Sequence, residues 1–135
     1  MAVDIESLRR VEFLGPLKDK TLKRLAGEMS ERRAVAGEDL VTEGSTAVAF
    51  FVILEGEAAV IAGERELRRL GPGGHFGEIA LVLPDVRRTA TVRALTDVRL
   101  GGMSTWNFKG FVSENPDVHW PLLVTLARQV ADLTH

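Results

Sequence analysis

Hydrophobic positions recur at two different periods along this chain. Between residues 4 and 30, Leu8, Val11 and Leu14 fall three apart; after the break GPLKD, Leu22, Leu25, Ala26 and Met29 repeat that spacing. A period of three to four places apolar side chains on one helical face, so two helices are expected, the second capped by Asp19. From residue 31 to 101 the pattern shortens. The runs AFFVILEG, EAAVIAG, ERELRRLG and TATVRALTDVRLGG are β-prone, and glycines interrupt them at 37, 44, 56, 63, 71, 73, 74 and 77. Many short strands between glycine turns predict an antiparallel barrel or jelly roll. Helical spacing returns in the last third. Ser104 or Thr105 can cap a helix carrying Trp106, Phe108, Phe111 and Val112. Pro116 suits the first turn of the next helix, and Pro121 kinks it or shifts its start. There Leu122, Leu123, Leu126, Val130 and Leu133 line one side.

Helices, then strands, then helices, with no βα alternation, predict an α+β fold: an antiparallel, jelly-roll-like β-roll flanked by terminal helices. The expected organisation is one domain over 1–135, with N-terminal helices at 1–30, the roll at 31–102 and C-terminal helices at 103–135. Composition narrows the function classes. A 45% hydrophobic and 27% charged chain reads as soluble and globular. No apolar run approaches the roughly 18 residues of a membrane span, and MAVDIESLRR has no signal-peptide core. With no cysteine there is no disulfide, no thiol catalysis and no thiolate metal site, which fits the cytoplasm as the expected location. Histidines at 75, 119 and 135 are too scattered for a local metal pair. Neither a metal nor catalysis is expected. A net charge of -2 gives no global reason to bind nucleic acid.

Candidate chemistry concentrates in GGHFGEIALVLPDVRRTATV, residues 73–92. Glu78 stands between Gly77 and Ile79 with Ala80 and Leu81 behind it, and a carboxylate in that company is costly to bury without partners. Gly73, Gly74 and Gly77 allow a tight turn and close backbone approach to a ligand. A short helix starting near Glu78 leaves its first amides free for an anion. Arg88, ten positions on, can return to the same pocket with a planar fork of donors for a phosphate. Thr89 can add a hydroxyl, and Glu78, which only accepts, suits a sugar hydroxyl. These pieces fit a ribose carrying one negative phosphate, in a pocket that binds without cleaving.

The same residues carry a resemblance. GGHFGEIALVLPDVRRTATVRA resembles the phosphate-binding cassette of cyclic nucleotide-binding domains, matched at Phe76, Gly77, Glu78, Ala80, Leu81, Arg88, Thr89 and Ala90. The step from Glu78 to Arg88 is similar to that of the bacterial catabolite activators; in kinase regulatory subunits it is shorter. EDLVTEG and FFVILEGEAAV resemble the family's early strands, and NPDVHWPLLVTLARQVADL its C-terminal helix. The resemblance implies that Glu78 accepts from the ribose 2′-hydroxyl, that Arg88 pairs with the exocyclic phosphate oxygens, and that Gly77, Ile79 and Ala80 offer amides to that phosphate. Thr89 contributes its hydroxyl, and Leu133 and Thr134 close over the base as a lid. Arg87 is expected to point to solvent. Gly74 departs from the family, which often has an acid there.

The resemblance implies a sensor for cyclic AMP or cyclic GMP. The bacterial-type spacing favours cyclic AMP, whereas a threonine after the arginine is associated with tolerance for cyclic GMP. Other readings stay open. The domain can be the N-terminal sensor of a DNA-binding regulator, although the chain stops at His135 without a recognition helix, so no nucleic acid is expected to bind it as given. It can also be a structural interaction domain in which Glu78 and Arg88 pair internally. His75 can ligate haem or lie in solvent, and Trp106 or Trp120 can stack on a base or pack in the core. The Leu122–Leu133 stripe can form a homodimer seam or face the roll.

Overall fold

The computed structural model describes residues 3–83 and 85–133, with Leu133 described by its backbone alone. The fold is α+β. Among the described residues, eight strands form two antiparallel four-stranded sheets. The strands are β1 (Ser30–Ala34), β2 (Asp39–Val41), β3 (Ala49–Glu55), β4 (Ala58–Ala62), β5 (Arg65–Leu70), β6 (His75–Phe76), β7 (Thr91–Ala94) and β8 (Val98–Ser104). One sheet has the order β1-β8-β3-β6 and the other β2-β7-β4-β5. The run TATVRALTDVRLGG is therefore two strands, β7 and β8. β5 is an edge strand, and its sequence RELRRL exposes every position but the last, so charge guards an edge that would otherwise invite another strand.

Helices α1 (Ile5–Arg9) and α2 (Asp19–Glu28) precede the roll; α3 (Thr105–Glu114) and α4 (His119–Leu133) follow it. The N-terminal stripe gives less helix than its spacing predicts. Val11 and Leu14 are buried, but they lie in turns beyond α1. Asp19 is not the cap of α2. Lys18 holds that position, and Asp19 opens the helix paired to Arg9. Ser104 caps α3 by accepting from the Asn107 amide at 3.0 Å. Pro116 opens a single 3-10 turn, and Pro121 falls in the first turn of α4, where its missing N–H costs nothing.

Strand β3 divides two cores. Phe50, Val52 and Leu54 face the helices, where Leu8, Phe13, Leu22, Leu25, Phe108 and Val118 pack; the Phe50 and Phe108 rings stack at 4.1 Å. Ile53 faces the roll interior with Leu40, Val60, Phe76, Val92 and Leu100. The two-residue period of a strand sends alternate side chains to these opposite faces.

The apolar side expected of α4 splits in two. Leu122 and Thr125 are buried, Leu126 packs against the helical core, and Gln129 continues that inner line. Leu123 and Val130 point outward with Trp120. Residues three, four and seven apart share a helical face, so 122, 125, 126 and 129 lie inward and 120, 123, 127 and 130 outward. Arg128 pairs with Glu12 at 2.5 Å and ties α4 to the N-terminal segment.

Candidate functional site

The chain leaves β6 at Phe76 and turns through Gly77, whose φ of +99° lies in the left-handed region. A 3-10 turn over Glu78–Leu81 follows. Arg88 is brought back by main-chain bonds on both sides: its amide donates to Ser45 O and its carbonyl accepts from the Gly44 amide, each at 2.8 Å. Together these segments wall a cavity of about 600 Å³, open mouth included. Phe76, Gly77, Glu78, Ile79, Ala80, Arg88, Thr89 and Ala90 all line it. Arg87 is exposed at its rim and donates to Gly44 O.

Glu78 is 2% exposed. Its Oε1 accepts a hydrogen bond from Gln129 Nε2, and His75 Nδ1 approaches the same oxygen at 3.1 Å, off the hydrogen-bonding direction. Burial pushes the Glu78 carboxyl up, but His75 first, then the residue's own backbone amide and Gln129, outweigh it and leave the group below the usual range, hence ionised. Its Oε2 is buried without a partner. Arg88 Nη2 donates to Ala49 O at 2.9 Å, while Nε is buried without a partner. Desolvation lowers the guanidinium pKa and the field of Glu78 offsets only part of that; an arginine so lowered still stays charged. Among the described residues, Glu78 and Arg88 form no ion pair within 4 Å. Both residues line one cavity, and each keeps a buried polar atom without a partner, costly to leave so.

The floor was not legible beforehand. Val41 pairs with Val92, Val92 with Val60, and Val60 with Arg68, so one register row crosses β2, β7, β4 and β5 and lines the cavity along its length. Residues in register share a face of the sheet. Arg68 thus brings a further cation to the cavity from the edge strand. Gln129 arrives from α4. Its one signal was a polar residue seven positions after Leu122 on the buried line.

Other candidates fall elsewhere. His75 does not line the cavity and is not solvated. It sits edge-on to Phe13, with ring centroids 5.2 Å apart, and is largely buried. Trp106 and Trp120 are 81% and 73% exposed and do not line the cavity, so neither is core nor placed to stack on a bound base. Thr134 and the Leu133 side chain lie outside the described residues. Among the described residues no group of three acidic or histidine side chains is placed to hold a metal, and no helix is long and apolar enough to cross a membrane.

Comparison with known proteins agrees in fold and family. The cGMP-dependent protein kinase egl-4 of Caenorhabditis briggsae is 36% identical over 95 residues, which are 70% of this chain and 13% of that protein. The cAMP-dependent protein kinase regulatory subunit of Emericella nidulans is 35% identical over 104 residues, 76% of this chain and 25% of that one. The chain thus spans a quarter or less of either relative. The crystal structure of Thermus thermophilus Catabolite Activator Protein superposes with a TM-score of 0.83 at 23% identity, covering 91% of this chain and 60% of that one, a likeness of fold. The profile described as Cyclic nucleotide-binding domain matches residues 31–115, most of the roll and α3. The chain belongs to the cyclic nucleotide-binding domain family.

Proposed function

We propose that this domain binds a cyclic nucleotide, cyclic AMP or cyclic GMP, between Glu78 and Arg88, and that α4 carries the signal of occupancy. One observation bears most of the weight: Glu78 and Arg88, each with a buried polar atom left without a partner, line one cavity together with a row of valines. A cyclised ribose phosphate supplies a hydroxyl for the first, an anion for the second and a flat base for the valines. Arg88 holds the exocyclic phosphate with the Gly77, Ile79 and Ala80 amides, Thr89 adds its hydroxyl, and Phe76 and Ala90 close the walls. Leu133 and Thr134 belong to a lid at the end of α4. The module regulates and does not catalyse. The bacterial-type spacing favours cyclic AMP. The names of the two kinase relatives, one for each nucleotide, make both necessary in the test.

Thermal unfolding with either nucleotide tests the reading. Ligand at a hundred times Kd stabilises by about 2.7 kcal/mol through mass action, which raises Tm by several degrees. A melting point unmoved by saturating cyclic AMP and cyclic GMP would return the domain to a purely structural role.

The outward line of α4 favours a second feature. Trp120, Leu123 and Val130 are 73%, 54% and 62% exposed on one helical face, apolar area that a second copy can cover in a homodimer. Sedimentation at micromolar chain is expected to show dimers, and a monomer throughout contradicts the pairing.

A further inference from the structure

We infer that Gln129 is a positioning residue for sugar recognition: from α4 it fixes the Glu78 carboxylate so that one oxygen is reserved for the ligand hydroxyl. The inference rests on the proposed nucleotide pocket and deepens it.

The two oxygens of Glu78 are treated differently. Oε1 takes the Gln129 amide and faces His75, whereas Oε2 is buried and unpartnered. A carboxylate at the end of a glutamate turns easily about its last torsion. The amide bond to Oε1 sets the plane of the group, and with it the direction in which Oε2 accepts. Water is a poor substitute, because the residue is almost wholly enclosed. His75 Nδ1 stands 3.1 Å from the same oxygen but off the hydrogen-bonding direction, so the directed side-chain bond to Oε1 is that of Gln129. Arg88, whose Nη2 is held by Ala49 O, makes no ion pair with Glu78.

Gln129 is itself held by what holds α4. Leu122 and Thr125 bury the inner face of the helix, and Arg128 pairs with Glu12 one residue before the glutamine. The aim of the pocket's acceptor therefore depends on the seating of a helix fifty-one residues away in sequence. When α4 shifts, Glu78 loses its orientation, and hydroxyl recognition weakens without any change in the arginine that binds the anion. By reciprocity, a ligand that needs an oriented Glu78 favours the seated helix.

A pair of ligands isolates this role from a general loss of fit. The parent and Gln129→Leu are titrated calorimetrically with cyclic AMP or cyclic GMP, whichever binds the parent more tightly, and with its 2′-deoxy analogue. The parent is expected to prefer the ribose form by about tenfold or more, the worth of a hydrogen bond to a charged acceptor. In Gln129→Leu that preference is expected to fall below about threefold, with binding of the deoxy analogue little changed. Gln129→Lys, which keeps a donor on the helix, is expected to restore it. A purely structural role for Gln129 weakens both ligands alike and leaves the ratio intact, and that outcome overturns the inference alone. A parent that binds neither nucleotide overturns the pocket as well.

Discussion

Replacing Arg88 with alanine is expected to weaken cyclic-nucleotide binding by about 2–4 kcal/mol, roughly 30- to 900-fold. Two effects add. The guanidinium is partly desolvated before any ligand arrives, so part of its solvation cost has already been met by the fold. Removing it also leaves a phosphate in the cavity without its nearest charge partner, and Arg68 reaches that cavity only from the far end of the valine row. Its Nη2 bond to Ala49 O, at 2.9 Å, fixes the fork before any ligand binds, so the group is preorganised. Lysine at 88 should recover little, since an ammonium cannot hold Ala49 O and an anion in one planar array. Isothermal calorimetry on folded protein reads the effect. An alanine variant that binds as tightly as the parent would refute the pocket assignment.

The second large effect is on the fold itself. Gly77→Ala is expected to cost about 2–5 kcal/mol of stability, read as a lower urea midpoint. At φ +99° an alanine is strained whatever the space, and its Cβ would stand 2.2 Å from Ala49 O and 3.1 Å from Phe50 Cα. These are backbone atoms of β3, which the ladder to β8 holds in register at Ala49↔Ser104 and Phe50↔Met103. The turn must give way instead. The same Cβ would meet Arg88 Nη1 at 3.1 Å, so whatever folds should also bind poorly. An unchanged urea midpoint in Gly77→Ala would show that the turn does not need glycine.

These predictions start from residues that sequence reading reached, and the reason is locality. Gly77, Glu78 and Arg88 lie within twelve positions, and their chemistry is unusual for their surroundings, so a short stretch announces a site. The strands were legible for a similar reason, since glycine turns punctuate short apolar runs. What escaped notice depends on pairing at a distance. Nothing local says that Val41, Val92 and Val60 stand in one row, or that Arg68 ends it, because that follows from the register of four strands. Leucines and valines crowd both sides of α4, so its spacing alone suggests a single stripe, and only its neighbours decide which side is inner. Asp19 looked like a cap because it precedes an apolar run, but Arg9 claims its carboxylate. His75 looked like a surface turn residue, yet Phe13 and Glu78 enclose it.

Strand β3 also imposes a mechanical condition on the molecule. One side of this ribbon is wedged against the helical bundle by Phe50, Val52 and Leu54, and its first carbonyl grips Arg88. It is a partition wall with a load on both faces. Tilting it to relieve one room squeezes the other, so moving all the helices as a block, unlike a shift at the end of α4 alone, disturbs the guanidinium. Information passing between the two halves need not travel around the rim of the roll, because seven residues already join them.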